Sequence, residues 1–335
     1  MKILYTDLNQ IITLEKAFHK NGRHLIPEDL STIPNGAIVF DEKILWVGAT
    51  SDIPKEYQNL SPISLKNKIL LPEIVDSHTH ILFAGDRSGE YLGRLNGDTY
   101  EMIAQKGGGI LYTQQETIKH NAEKLFDLAS ERIEKIASRG IGTIEIKSGY
   151  GLTLEKEKEL TEIISLLKLK YSPTIQIINT YMAAHAIPKN SSAEQYIHEV
   201  VIPVMQELFN QIDIVDVFCE EGYFNHEHTK LLFQTAQKLN LPVKLHADEF
   251  TSNGGAELAV EYKALSADHL LQISEQGIKA LASSTTIATL LPGTAFFLGK
   301  NLAPARALLD AGARVAIASD YNPGSCHWDN LIQIA

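Results

Sequence analysis

The chain has 335 residues, 44% of them hydrophobic and 21% charged, a globular balance that suits one large α/β barrel with an appendage or two domains. Its formal net charge of −11 and its lack of a basic run argue against binding to nucleic acid. Its two cysteines form no CxxC pair, its N-terminus MKILYTDLNQ lacks the apolar core of a signal peptide, and no apolar run has the length of a membrane span. We therefore expect a soluble cytoplasmic protein.

The N-terminal part has the pattern of short strands and turns. Residues 36–49, GAIVFDEKILWVGA, contain two apolar runs joined by the polar Asp41-Glu42-Lys43, which predicts a β-hairpin. Residues 1–66 carry no catalytic cluster. We therefore predict one domain at 1–66 and a second, catalytic one at 67–335.

The rest of the chain alternates apolar runs with amphipathic segments. The runs are typical of parallel strands buried on both faces, and they lie at 69–76, 142–147, 174–180, 212–218, 242–247, 264–268, 286–291 and 314–319. Helices are predicted between them at 114–139, from the capping Thr153 through Leu167, and at 192–209, 227–239, 254–262, 274–283 and 303–311.

This alternation predicts a (β/α)₈ TIM barrel. The alternative is a doubly wound open sheet, which would normally carry a glycine-rich phosphate turn directly after its first strand. Gly107-Gly108-Gly109 follows no strand directly and fits a flexible loop better. The barrel is therefore the preferred fold.

Active sites of such barrels form where the strands end. His78-Thr79-His80 alone is explained equally well by a polar strand end, although alternate residues of a strand would present both imidazoles to one ion. Together with His246, His269 and Asp320 at later strand ends, the pair favours a metal site. Three imidazoles and one carboxylate suit Zn²⁺ or Fe²⁺ better than Mg²⁺ or Ca²⁺.

Several of these residues have alternative roles. Glu249 is placed to move a proton between water and a leaving nitrogen, or else is a solvated acid, whereas Asp248 is more simply a structural residue. His269 would bind the metal or polarise a carbonyl, or else be a core histidine; Asp320 would be a ligand or a helix cap. A carbamylated Lys147 would bridge two metals. However, Lys147 follows strand 2, and strand 4 offers Cys219-Glu220 and no lysine, so a single metal is favoured.

Arg87, in the loop after the two histidines, indicates what kind of substrate the site binds. An acidic protein that binds a carboxylate needs local positive charge, and a guanidinium holds a carboxylate bidentately. Tyr150, in KSGYG, would add a hydroxyl donor; packing in a loop is its alternative role. These two residues favour a substrate with a carboxylate.

The segments DSHTHILFAGDR, EIKSGYGL, HADEF, SADHL and SDYNPGS resemble the metal-dependent amidohydrolase superfamily and, within it, the imidazolonepropionase family. The resemblance extends from the N-terminal strands to residue 335. It implies a barrel with a small β-sandwich portion at 1–66. It also implies hydrolysis of 4-imidazolone-5-propanoate to N-formimidoyl-L-glutamate in histidine degradation, by metal-activated water that attacks the cyclic amide.

The resemblance also implies a role for each matching residue. His78, His80, His246 and Asp320 would bind a single ion, zinc or iron (Fe²⁺ or Fe³⁺), with Asp320 also catalytic. His269 would assist the carbonyl and Glu249 would lie at the reacting centre and touch the substrate. The other substrate-binding residues would be Arg87, Tyr150, His185, Asn322, Gly324 and Ser325. A homodimer is expected from the resemblance alone.

Two alternatives remain at this point. HxxE after strand 5 also suits a deaminase of a cyclic base, but such substrates have no carboxylate for Arg87 and Tyr150 to bind.

Family members continue past the strand 8 loop with a last barrel helix and strands that complete the sandwich. A chain ending at NLIQIA is therefore expected to lack those elements, and a metal-binding but inactive chain is the second alternative.

Overall fold

The structure, a computed structural model, describes residues 1–98, 102–103 and 106–335. The chain divides into two compact units, Met1–Glu73 and Ile74–Ala335. The division follows Glu73, seven residues after the position expected from sequence, because Ile69–Leu70 pairs with the first strand of the N-terminal unit. The run predicted as one strand at 69–76 is therefore two strands in different sheets.

The N-terminal unit contains one five-stranded sheet within the described residues. Its strands are β1 (Ile3–Ile12), β2 (Thr32–Phe40), β3 (Ile44–Ala49), β4 (Pro62–Ser64) and β5 (Ile69–Leu70). β1 is antiparallel to β2 and parallel to β4 and β5, and the short helix α1 (Glu15–His19) follows β1. β2 and β3 form the predicted hairpin, with Val39 opposite Trp46.

The second unit is built on eight parallel strands, so the predicted barrel sheet is confirmed. Each strand neighbours the next one along the chain. They are β6 (Ile74–Asp76), β7 (Ile141–Lys147), β8 (Gln176–Tyr181), β9 (Ile214–Cys219), β10 (Val243–Ala247), β11 (Ser266–His269), β12 (Ile287–Leu290) and β13 (Arg314–Ile317).

The barrel closes just beyond the ends of β6 and β13. The Asp320 backbone N–H donates to the His78 carbonyl and the His80 N–H donates to the Tyr321 carbonyl, both at 2.9 Å. The buried Asp76 carboxylate accepts a bond of 3.0 Å from the Ser319 N–H. Closure thus joins the two chain segments that carry the first and last predicted metal ligands.

Helices cover the outside of the barrel sheet or follow its strands. They are α2 (Ser88–Leu95), α3 (Ile110–Ile118), α4 (Ala122–Ala137), α5 (Leu154–Tyr171), α6 (Ala193–Tyr196), α7 (Ile202–Leu208), α8 (His226–Lys238), α9 (Gly255–Glu261), α10 (Glu275–Ala282), α11 (Pro292–Leu298), α12 (Ala305–Asp310) and α13 (Leu331–Ile334). In the described part of the chain, none is long and apolar enough to cross a membrane.

Two helix predictions need correction. The helix expected at 114–139 is two helices, because the Asn121 side chain accepts the Lys124 N–H and caps a new start at α4. The helix expected at 192–209 is interrupted by a π-helical turn at Ile197–Val201. Pro203 lies two residues after this turn and lacks an N–H, so it cannot donate the regular helical bond to the carbonyl of Glu199 within the turn. The Thr153 cap of α5 is confirmed by its bond from the Lys156 N–H.

Replacing Asp76 by Ala would leave the Ser319 N–H buried without an acceptor. We expect the free energy of unfolding to fall by about 1–3 kcal/mol, the usual cost of such a group. Asp76→Asn keeps an oxygen acceptor and should lose less. Urea unfolding followed by circular dichroism measures both variants, and equal losses in the two would contradict a closing role for this bond.

Candidate active site

The carboxyl ends of the barrel strands bring the predicted ligands together. Ligand atoms of His78, His80 and His246 lie within 4.8 Å of one another, and so do those of His78, His269 and Asp320. One Asp320 oxygen is 3.5 Å from Nε2 of both His78 and His80. These distances show that four strands converge on one small cluster of nitrogen and oxygen donors. All five side chains are buried.

Unusual backbone conformations accompany these strand ends. His269 has φ 76° and Asp320 has φ 50°, both in the left-handed region that non-glycine residues rarely adopt. Asp248, with φ 51°, accepts the N–H groups of Asn253, Gly254 and others at the start of α9. Asp248 therefore has the structural role expected of it, while the turn directs Glu249 toward the cavity.

The donor set fits a divalent metal. Nε2 of His78 and Nε2 of His246 are buried and have no hydrogen-bond partner among residues 1–98, 102–103 and 106–335. Nδ1 of His78 is 2.6 Å from Asp268, and Nδ1 of His246 is 3.1 Å from Asp216. Because a carboxylate only accepts, each Nδ1 donates to it, and Nε2 is the ring nitrogen that can offer a lone pair to a metal. A metal ion would satisfy both buried lone pairs.

Burial also sets the protonation of the cluster. It lowers the pKa values of His78, His80 and His269 well below the ordinary value for imidazole, which keeps these rings neutral. Burial raises the pKa of Asp320 to about 6, although the Thr294 hydroxyl donates to its carboxylate at 2.5 Å. Neutral imidazoles are the form in which histidine binds a metal.

Charged residues beneath the histidines lie outside the set predicted from sequence. Asp216 and Asp268 hold the two Nδ1 atoms, and Lys147 contacts Asp216 at 2.6 Å and Glu145 at 2.8 Å. Lys147 is thus a buried ion-pair partner. Burial lowers the pKa of Lys244, but Asp268 and Glu145 raise it above its ordinary value.

A sequence signal for these residues exists. Each one interrupts an otherwise apolar strand, as in the runs GTIEIK, IDIVDVF and PVKLHA. A charge on a strand covered on both faces has to be paired in the interior. Charged positions inside buried parallel strands therefore indicate an internal ion-pair network, although they do not say which residues pair.

A cavity opens beside the cluster. Eight of the nine predicted catalytic and substrate-binding residues lie on its wall, and Gly324 is the exception. With two further predicted ligands, these lining residues are His80, Arg87, Tyr150, His185, His246, Glu249, His269, Asp320, Asn322 and Ser325. Glu249 lies 3.6 Å from Nε2 of His269. Burial raises the pKa of Glu249 well above its ordinary value, and the Asp320 and Glu220 charges raise it further.

Arg87 is held in place by Glu90. Nε and Nη2 of its buried guanidinium each donate to the Glu90 carboxylate at 2.9 Å, and that carboxylate also accepts the Gly109 N–H at 2.8 Å. A Cβ atom at Gly324 would lie 2.1 Å from the guanidinium, so only glycine allows this approach. Glu90 was not predicted, although its position three residues after Arg87 on a helix is a usable signal.

The remaining predicted residues have distinct surroundings. Asn322 accepts the N–H groups of Gly324 and Ser325 at 2.8 and 2.7 Å, so it organises its own loop as well as lining the cavity. The His185 ring stacks on His80 with centroids 4.8 Å apart, and burial lowers the pKa of His185 to about 3. The Tyr150 ring lies 5.3 Å from His185.

Replacing Asp268 by Ala should weaken metal binding roughly 10- to 100-fold, because His78 loses the partner that fixes its tautomer and ring orientation. Competition with a chromogenic chelator measures the affinity for Zn²⁺. Asp310→Ala is the matched control, since that carboxylate is exposed and pairs only weakly with Arg306 at 3.7 Å. Equal affinities in all three proteins would rule out this support for the site.

The chain is similar to known proteins along most of its length. No family model matches it. It is 39% identical to the imidazolonepropionase of Parabacteroides distasonis over 333 residues, which cover 97% of this chain and 79% of that one. It is 42% identical to the imidazolonepropionase of Idiomarina loihiensis over 299 residues, which cover 88% and 72%.

Solved structures share the fold. A guanine deaminase from C. acetobutylicum with bound guanine superposes with a TM-score of 0.68 at 17% identity, covering 100% of this chain and 77% of that chain. A 5-methylcytosine deaminase from Klebsiella pneumoniae gives 0.69 at 14% identity, covering 99% and 78%. At such identities the likeness supports the fold alone, whereas the sequence relatives are close along most of both chains. The chain belongs to the imidazolonepropionase family.

Proposed function

We propose that the protein hydrolyses 4-imidazolone-5-propanoate to N-formimidoyl-L-glutamate in histidine degradation. The observation that carries this proposal is a single cavity that contains both a cluster of metal-binding donors and the buried guanidinium of Arg87. Relatives at about this identity are named imidazolonepropionase. All the residues involved lie in the Ile74–Ala335 unit, within the catalytic domain proposed for 67–335.

The proposed cofactor is one zinc or iron ion. His78, His80, His246 and Asp320 would hold it, because their donor atoms converge and two buried Nε2 atoms have no other described partner. A bound divalent ion would lower the pKa of water to roughly 7 and polarise a carbonyl. Nitrogen-rich donor sets of this kind suit zinc and iron better than magnesium or calcium.

Glu249 is the proposed proton carrier. Burial and the neighbouring Asp320 raise its pKa, which brings the carboxyl group closer to the range in which it can both take up and release a proton near neutral pH. In the reaction Glu249 would accept a proton from the attacking water and deliver it to the departing ring nitrogen. His269 is neutral because burial lowers its pKa, and it would donate a hydrogen bond to the developing oxyanion.

Arg87 is the proposed anchor for the propanoate, with Tyr150 and His185 beside it. Glu90 pairs with Arg87 at 2.9 Å and lies 3.9 Å from Arg94, so one carboxylate holds two positively charged guanidinium groups next to each other. That local charge would attract an anionic substrate to an acidic protein. The loop of Asn322, Gly324 and Ser325 would enclose the ring, so that binding orients the amide toward the water.

We further propose that the protein acts in the cytoplasm, without nucleic acid, as a homodimer. Both cysteines, Cys219 and Cys326, are free thiols, which agrees with a reducing compartment. The net charge of −11 disfavours contact with phosphate backbones. Sedimentation equilibrium of the purified chain tests the homodimer.

Arg87→Ala should raise KM for 4-imidazolone-5-propanoate roughly 10- to 100-fold, since the variant loses charge-assisted hydrogen bonds to the substrate carboxylate. The loss of substrate absorbance measures turnover. Arg306→Ala, at a largely exposed arginine, is the control and should leave KM unchanged. A wild-type KM in Arg87→Ala would remove the anchor from the proposed function.

Removal of the metal with a chelator should abolish turnover, and returning Zn²⁺ or Fe²⁺ should restore it. Bound metal and turnover are measured on the same sample, and the ion that restores more activity identifies the preferred metal. Stoichiometric metal without imidazolone hydrolysis would favour the inactive metal-binding alternative. Release of ammonia from cytosine or guanine instead would favour a cyclic-base deaminase.

A further inference from the structure

A chain of buried charges begins at His78 and leads away from the cavity. Nδ1 of His78 is 2.6 Å from Asp268, and the Asp268 carboxylate is 3.0 Å from Nζ of Lys244. Lys244 is in turn 3.1 Å from Glu145 and donates to the backbone carbonyl of Ser77 at 2.7 Å. Lys244 therefore holds both the acid that pairs with His78 and the backbone next to it.

The same chain reaches His246 from the other side. Glu145 is 2.8 Å from Lys147, which is 2.6 Å from Asp216, and Asp216 is 3.1 Å from Nδ1 of His246. Glu145 thus lies between the two ammonium groups, and the Thr180 hydroxyl fixes it further with a bond of 2.7 Å. The two histidines are connected through five alternating charges contributed by β7, β9, β10 and β11.

The burial of these charges makes their arrangement cooperative. Each of the five side chains is at most 4% exposed. Each ammonium lies between two carboxylates, which is the arrangement that makes buried charge tolerable. Removing one charge from the middle leaves each neighbour in the interior with one partner fewer, and the neighbours can be expected to shift toward their remaining partners.

We propose that Lys244 and Glu145 are positioning residues for the metal centre, which couple the orientation and tautomer of His78 to those of His246. Neither residue is a proposed ligand; each acts through the carboxylates that hold Nδ1. Three carboxylates and two ammonium groups leave a charge of −1 beneath the site, which favours a bound cation. This inference rests on the metal site of the proposed function.

Two variants separate positioning from simple charge balance. Lys244→Met removes one ammonium, so Asp268 loses its lysine partner and Glu145 keeps only the ammonium of Lys147. The double variant Lys244→Met/Glu145→Gln removes one charge of each sign, so the net charge of −1 is retained while the chain between the histidines is broken. The double variant should recover most of the stability that the single variant loses, and it also serves if Lys244→Met does not fold.

The test measures affinity for Co²⁺ by chelator competition, the visible spectrum of the Co²⁺-loaded protein, and the unfolding temperature. Both variants should bind Co²⁺ at least about 10-fold more weakly with an altered spectrum, as expected when the partners of metal ligands are disturbed. The control is Lys168→Met, which removes an ammonium that pairs with Asp213 on the partly exposed surface of the same unit. The control should keep wild-type affinity and spectrum.

The possible outcomes are distinguishable. A double variant with wild-type affinity and spectrum would overturn the inference, because the charge chain would then serve stability alone. Wild-type protein that binds no Co²⁺ would overturn the metal site itself and, with it, this inference. Normal Co²⁺ binding in wild type, weakened in the double variant despite recovered stability, would support coupling of the two histidines whatever substrate the protein hydrolyses.

Discussion

The active site depends first on the two backbone hydrogen bonds that join the segments after β6 and β13. They connect Asp320 to His78 and Tyr321 to His80 at the point where the barrel closes. Without closure, a ligand from the first strand and a ligand from the last strand would lie at opposite edges of an open sheet. The metal centre is therefore a product of the barrel topology, and the side chain of Asp76 reinforces the same junction.

Burial of charge is the second constraint. The interior keeps the imidazoles neutral, which suits metal binding, and it requires each ionised group beneath them to be paired. The same low-polarity environment raises the pKa of Glu249 on the cavity side. Burial thus sets the protonation of both the proposed ligands and the proposed proton carrier. It also explains the lysines inside barrel strands, because they neutralise the buried carboxylates.

The chemistry of the cluster and the choice of substrate are separable in this fold. Barrels of similar shape occur in a guanine deaminase and a 5-methylcytosine deaminase. In this cavity Glu90 holds the guanidinium of Arg87, and Gly324 permits its close approach. Membership of the imidazolonepropionase family agrees with the proposed role of Arg87 as a carboxylate anchor.

The sequence alone determined the barrel, the hairpin at 36–49 and the set of strand-end residues that converge, because strand and helix periodicity and the position of a residue at a strand end are local properties. Tertiary structure decided the pairing of Asp268 with His78, 190 residues away, and the contacts of Lys244 with Glu145. It also decided that 69–76 is split between two sheets. Such partners are chosen by strand register and by the need to neutralise buried charge, and no local pattern encodes either.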